Sequence, residues 1–324
     1  MSDGEWQVYW NKLLKEKKLA LKIDELNIVD HEKNESDCLT ETICKKVFDG
    51  YAEMNTRLEG TRKNFLAIID EFQGVHLQSS RIKTKDSLIC KIIRKRYENI
   101  NSKLSPYAIL NGHNYGNIIT DLIGMRLIIN YRGKWNIIHE EIVKAFPIID
   151  DADYEHQNLL PHTVGNSFQA EIPIAYYAEG DNPQSYKACG LRAKVHKKGY
   201  RSIHYTVGFE DTYIELQVRT IYDEAWSDCD HQYVYKQEAN PSNHALIKLS
   251  EILCGLTNTA NDMGDTMREI FEGRWLIDTD TKEWITTKEC LCAFDQSIKN
   301  LDETSKKLRE FRKQLTDQTK SMER

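Results

Sequence analysis

Two carboxylates, Asp121 and Glu215, interrupt segments that otherwise read as buried strand. Asp121 opens the run "DLIGMRLIINY", which Arg126 breaks further on; Glu215 sits inside "TYIELQVRT", with Gln217 and Arg219 following at alternate positions. Side chains alternate across a strand, so Glu215, Gln217 and Arg219 share one face. Applied to a regular strand starting at Asp121, the same alternation sends Asp121 and Arg126 to opposite faces. Charge on a central strand is costly unless it is paired or used. Carboxylates on neighbouring strands are a common way to hold Mg²⁺ against a triphosphate, which makes Asp121 and Glu215 candidate metal ligands. The competing reading is plain ion pairing, Arg219 with Glu215 and Arg126 with an acid on a helix.

Cations come from two places. "SRIKTKDSLICKIIRKR" alternates Arg81, Lys83 and Lys85, then puts Lys91, Arg94 and Lys95 on a helix, with Ser87 a turn before Lys91. Polyphosphate needs several converging cations and hydrogen-bond donors, and this segment supplies both. A solvated basic face would have the same composition. "KKGYRSIHYTVGF" adds Lys197, Lys198 and Arg201 as phosphate candidates around Gly199, a residue that permits close approach or an unusual backbone angle. Tyr200 offers a ring on which a base can stack. Alternation groups Tyr200 with Ser202 and His204, and Arg201 with Ile203 and Tyr205. The glycine-loop nucleotide motifs, G-x-x-x-x-G-K-[ST] and G-x-G-x-x-G, do not occur.

The elements that must position these residues fall into three divisions: a helical N-terminal region over 1–74, a core over 75–240 and a helical extension over 241–324. In the first, Ile43, Val47, Tyr51, Met54, Leu58, Phe65 and Ile69 recur near helical spacing. After the breaker-like "GVHLQSSRIKTK", a helix begins with Thr84 or Asp86 as its N-cap. In the core, "KWNIIHEEIVKAFP" is a helix stopped at Pro147, "EIPIAYYAEG" a strand, and "YRSIHYTVGF" and "TYIELQVRT" a hairpin joined through "FEDT". "YDEAWSDCDHQYVYK" reads as helix. In the extension, Leu246, Leu249, Leu253, Leu256, Ala260, Met263, Met267 and Ile270 share one helical face. Leu291, Phe294, Ile298, Leu301, Ser305, Leu308 and Leu315 follow at three-four spacing. That coiled-coil-like seam reads as a helical hairpin packed on its own body, or else as a homo-oligomer contact. The fold class is α+β, a mixed sheet flanked by helices.

The 324 residues, 40% hydrophobic and 29% charged, suffice for one sizeable core with appendages or two modest domains. A net charge of −6 argues against sequence-independent binding to duplex nucleic acid. No apolar run is long enough to cross a bilayer, and the first residues lack the basic and apolar regions of a signal peptide. The eight cysteines are scattered without zinc spacing, as expected of reduced thiols. The expected location is cytoplasmic, with no membrane partner.

The set "R-I-K-x-x-x-S-x-x-x-K-x-x-R", "D-L-I-G-M-R", "G-Y-R-S-I-H" and "E-L-Q-V-R-T" resembles, in order and spacing, the motifs of the RelA/SpoT-type alarmone synthetases, synthetase-only members in particular. The resemblance covers about residues 75–240. It implies a nucleotidyltransferase-like core that transfers the β,γ-pyrophosphate of ATP to the 3′-hydroxyl of GDP or GTP, releasing AMP, with Mg²⁺ as cofactor. Carried onto this chain, Asp121 holds Mg²⁺, and Glu215 shares the metal or takes the hydroxyl proton. Arg81 and Arg126 sandwich adenine, while Lys83, Ser87, Lys91 and Arg94 serve the donor phosphates. Tyr200 stacks on guanine, His204 lies near the acceptor's sugar and phosphates, and Gln217 and Arg219 support the site. Lys197 and Lys198 depart from the family's pattern in their loop, and "DEAW" offers Glu224 to the guanine edge. The segment 150–193 is longer than the family's usual acceptor-side stretch. No His-Asp dipeptide is present, so the alarmone hydrolase of the long members is not expected. Two other readings stand beside this one: transfer to tRNA 3′ ends or adenosine nucleotides, as in toxic relatives, and an idle nucleotide-binding scaffold.

Overall fold

The computed structural model describes residues 2–32, 39–102, 105–147, 167–234, 244–272, 276–277, 284–285 and 288–322. Most of the first part of the 150–193 segment lies outside them. Three helices lead: α1 (Asp3–Glu16), α2 (Ala20–Glu32) and α3 (Thr40–Ile69). The spacing read from the sequence of α3 holds, with Ile43, Val47, Met54, Leu58, Phe65 and Ile69 buried. Strand β1 (Leu77–Ile82) follows, then α4 (Lys85–Glu98), β2 (Ile123–Ile129) and α5 (Trp135–Ala145). Thr84 is the N-cap of α4 and accepts from the Ser87 amide. Beyond α5 come β3 (Ser167–Gln169), β4 (Ile174–Ala178), β5 (Arg192–His196), β6 (Ser202–Phe209) and β7 (Thr212–Thr220). Helices α6 (Ile221–Tyr233), α7 (His244–Phe271) and α8 (Lys288–Met322) close the chain.

The seven strands form one mixed sheet in the order β1-β2-β7-β6-β4-β5, with β3 paired to β6. β2 and β7 run parallel, and β6 and β7 form the expected antiparallel hairpin. This is the α+β architecture expected from the sequence. One face is apolar: Met125, Leu127, Ile203, Tyr205, Val207, Ile214, Leu216 and Val218 are buried in the same core as the inner faces of α3 and α5. Rings from three elements meet there, Phe65 of α3 stacking on Phe146 and meeting Phe209 of β6 edge-on. The core also takes in Trp6, Trp10 and Leu13 of α1. Among the described residues, no helix is long and apolar enough to cross a membrane.

Three expectations change. The segment taken as a break holds β1, an edge strand whose alternate side chains are exposed and which pairs antiparallel with β2. Asp121 lies in the turn before β2, which starts at Ile123, so strand alternation does not relate it to Arg126. The apolar stripe of α7 does not pack on the body: Leu249, Leu256, Met263 and Met267 are exposed, Met267 to 70%. The buried side of α7 is instead largely polar, with Cys254, Thr259, Asn261 and Arg268 turned inward. On α8, Ile298, Leu301, Leu308 and Leu315 are likewise exposed. The side chains of Leu291 and Phe294 lie outside the described residues. The two helices approach closely where Gly255 faces Thr304.

Gly208 of β6 lies against the ring of Phe168 on β3, where an added Cβ would come 2.5 Å from the ring edge. Gly208→Ala is expected to lower the thermal unfolding midpoint, at a cost of about 1–3 kcal/mol from overpacking. An unchanged midpoint would show that β3 moves aside without strain.

Candidate active site

The polar face of the sheet is built in rows. Across one row, Thr206, Glu215, Gly124 and Arg81 are register partners on β6, β7, β2 and β1. Across the next stand His204, Gln217, Arg126 and Ser79. Register alone therefore brings together residues that are far apart in the chain. Gly124 leaves its place in the row open: a Cβ there would lie 3.6 Å from Arg81 Nε. The side chain of Arg81 thus lies against Gly124, the register partner of Glu215.

A cleft of about 1570 Å³ lies over this face. One end is cationic, lined by Arg81, Lys83, Ser87, Lys91 and Arg94 from β1 and α4. The other end is lined by Lys197, Lys198, Tyr200 and His204, with Gln217 between. Asp121 and Glu215 both line the cleft. Arg126, Arg219 and Glu224 are not among its lining residues; they stand behind it as an ion-pair cluster. Glu224 accepts from Arg126 at 2.6 Å through one oxygen and pairs with Arg219 at 3.1 Å through the other. Arg126 also reaches Asp228 at 3.1 Å. The pairing of Arg126 with a helix acid matches the competing reading of the sequence, whereas Arg219 pairs with Glu224 rather than Glu215. In this geometry both oxygens that would meet a guanine edge are taken by arginines.

The carboxylates differ in their surroundings. Lys83 Nζ is 2.9 Å and Lys91 Nζ 2.8 Å from the two oxygens of Asp121. Burial opposes the charge of Asp121, yet the two lysines outweigh it and hold the carboxyl below the ordinary aspartate range. Among the described residues, no lysine forms an ion pair with Glu215. Burial, reinforced by the negative Asp121, pushes it above the ordinary glutamate range against the pull of Lys91, Lys83 and Arg81. Gln217 Nε2 donates to Glu215 Oε2 at 3.0 Å.

Tyr200 and His204 are wired to the same cluster. Arg219 donates to the Tyr200 hydroxyl at 3.0 Å, and that hydroxyl meets His204 Nε2 at 2.8 Å. Burial and then Arg219 push His204 down to about 3, so its ring is neutral near pH 7. The Tyr200 hydroxyl accepts from Arg219, and the proton shared with Nε2 can come from the hydroxyl or from the ring, according to the tautomer. His204 Nδ1 lies 3.9 Å from Glu215 Oε1, beyond hydrogen-bond reach. The Arg219 guanidinium also lies over the Tyr200 ring, 5.3 Å from its centroid.

Several cleft residues have no place in the sequence reading. Tyr176 on β4 meets Tyr200 and His204 edge-on, at 5.9 and 4.8 Å between centroids, and His196 meets Tyr200 at 5.4 Å. Trp226 and Asp230 of α6 also line the cleft. Lys17 and Lys18, at the end of α1, line it as well, from a turn in which Lys18 has φ 53°. Alternation within "EIPIAYYAEG" marks Tyr176 as one of two candidates but cannot choose its face without the register to β6.

Two carboxylate groups suit a hard cation such as Mg²⁺, which binds through one or two carboxylates and completes its shell with water and substrate phosphate. The mutual repulsion of Asp121 and Glu215 is a further mark of fit, because a cation between them would relieve it. Among the described residues, no group of three or more His, Cys, Asp or Glu could hold a metal without such outside ligands.

Residues 80–240 match the family described as the region found in RelA/SpoT proteins. No curated protein sequence matches the chain. Among solved structures, the chain is similar to a GTP pyrophosphokinase family protein from Streptococcus pneumoniae, at 16% identity over 71% of this chain and 93% of that one, with a TM-score of 0.40. It is similar to small alarmone synthetase 2 from Bacillus subtilis at 16% identity, over 71% and 98% of the two chains, with a TM-score of 0.39. Small alarmone synthetase 1 from the same organism, bound to its product pppGpp, matches at 14% identity over 68% and 92%, with a TM-score of 0.37.

Proposed function

We propose, on the premise that the chain belongs to the RelA/SpoT family through residues 80–240, that it is a Mg²⁺-dependent pyrophosphokinase making (p)ppGpp and AMP from ATP and GDP or GTP. One observation carries the reading. A single cleft has a cationic end, an aromatic end and two carboxylates that both line it. Its volume of about 1570 Å³ exceeds the roughly 300–1,000 Å³ of a one-ligand pocket, and suits two nucleotides.

Lys83, Lys91 and Arg94 would bind the donor triphosphate, with Arg81 against the adenine. Tyr200 would stack on guanine, and Lys197 and Lys198 would take the acceptor's phosphates. The 3′-hydroxyl oxygen attacks the β-phosphorus, the bond from that phosphorus to the bridging oxygen of AMP breaks, and the hydroxyl proton passes to Glu215. His204, neutral and joined to the Tyr200 hydroxyl, would stand beside Glu215 and the incoming hydroxyl. Asp121 and Glu215 would hold Mg²⁺, which when bound neutralises charge building on the transferred oxygens. The protein's task is alignment and charge neutralisation, and no covalent intermediate is needed.

The test is incubation with γ-labelled ATP, Mg²⁺ and GDP or GTP. Label is expected in a guanosine product, in step with AMP release. AMP-coupled transfer to no guanosine nucleotide, under conditions where a known synthetase works, would refute the reading.

A further inference from the structure

The loop that carries Lys197, Lys198 and Tyr200 to the cleft is gripped from behind by a helix outside the RelA/SpoT region. Arg201, next to Tyr200, turns away from the cleft and is largely buried. Its Nε and Nη2 grip Asp181 at 2.6 and 2.8 Å, a two-pronged ion pair. Its Nη1 donates to the Gly199 carbonyl at 3.2 Å and to the side-chain oxygen of Asn258 on α7. The Cys254 thiol, also on α7, lies 3.6 Å from the Lys198 carbonyl and 3.9 Å from that of Gly199. Asn258 Nδ2 donates to the same sulfur at 3.6 Å. Gly199 has φ 80°, and a Cβ on it would lie 2.7 Å from Cys254 Sγ. The backbone therefore rests directly on α7, in a conformation that glycine alone adopts without strain.

We infer that Asn258 and Cys254 are positioning residues for the acceptor nucleotide: through Arg201 and Gly199, α7 holds the 197–200 loop in the shape that receives it. A binding loop left to fluctuate loses affinity to ordering entropy, and a rigid backing removes that loss. Arg201 needs the backing in particular, since a buried guanidinium must keep its partners. The donor end is built by β1 and α4 and, among the described residues, no hydrogen bond or ion pair ties it to α7. The inference rests on the proposed function, and it separates cleanly from it because the clamp predicts which nucleotide is affected.

The test is equilibrium binding of GDP and of a non-hydrolysable ATP analogue, with thermal midpoints measured alongside. Asn258→Leu removes the acceptor for Arg201 and is expected to weaken GDP binding about tenfold while the ATP analogue changes less than about twofold. Asn258→Asp keeps an acceptor for the guanidinium and is expected to restore GDP binding to within about twofold of wild type. Cys254→Leu is a second, independent wedge against the Gly199 backbone, with the same selective loss expected. Equal weakening of both nucleotides, or GDP binding unchanged in folded Asn258→Leu and Cys254→Leu, overturns the inference and leaves the functional reading standing. Wild-type protein that binds the ATP analogue and no guanosine nucleotide removes the acceptor assignment, and this inference with it.

Discussion

Glu215→Gln is expected to lower kcat of pyrophosphoryl transfer by about 10²–10⁴-fold, the usual loss when a positioned base is removed, with the thermal midpoint close to that of wild type. The substitution is nearly isosteric, and the amide oxygen can still accept from Gln217 Nε2, which lies 3.0 Å from the carboxylate in the native site. What it removes is the negative charge and the basic lone pair on a strand between β2 and β6. The pH profile carries the sign. Glu215 works ionised, and burial with the repulsion of Asp121 raises its pKa above the ordinary glutamate value of 4.5. Activity of wild type should therefore fall as pH drops and Glu215 is protonated, and the fall should begin at higher pH when Mg²⁺ is limiting, because bound Mg²⁺ would relieve the repulsion from Asp121. The limb should be absent from the residual activity of Glu215→Gln. Retention of more than about a tenth of wild-type kcat would remove Glu215 from both of its assigned roles.

The side chains that make this prediction possible are legible because four short motifs name them, and because period-two alternation puts Glu215 with Gln217 on one strand face and His204 with Tyr200 and Ser202 on another. Both the register rows and the cleft keep Glu215, Gln217 and His204 together. What the sequence hid depends on pairings between distant segments. The "LQSSRI" strand carries little apolar signal because it is an edge strand whose alternate side chains face solvent, and only its ladder with β2 makes it a strand. Alternation does not fix the face of Asp121, because it counts only within the strand, and the strand begins after it. The sequence offers Glu224 to a base because it shows no partner for it, yet two arginines from neighbouring strands converge on it. The extension misleads in the opposite direction. Its apolar stripe is the strong periodic signal, but α7 meets the body through Arg132, Asp223, Asn261, Asp262 and Asp265, a polar network no periodicity marks.

Asp121→Asn is expected to lower transfer by about 10²–10³-fold for a different reason, and the two variants should differ in how they bind ATP. Asp121 sits between Lys83 and Lys91, whose side chains are only 13% and 12% exposed. In the wild type a triphosphate must compete with Asp121 for these lysines. The amide ends that competition, so ATP without Mg²⁺ is expected to bind the variant at least as tightly as wild type. Catalysis moves the other way. With one of two candidate carboxylates gone, Mg²⁺ has a weaker hold, and the oxygens of the transferred group lose charge stabilisation of a kind typically worth about 10²–10³ in kcat. The Mg²⁺ concentration needed for half-maximal residual activity should rise. Titration of ATP into the variant, with and without Mg²⁺, separates these effects. Loss of Mg²⁺-free ATP binding would mean that Asp121 organises the donor end rather than competing within it, and wild-type turnover would exclude it as the metal ligand.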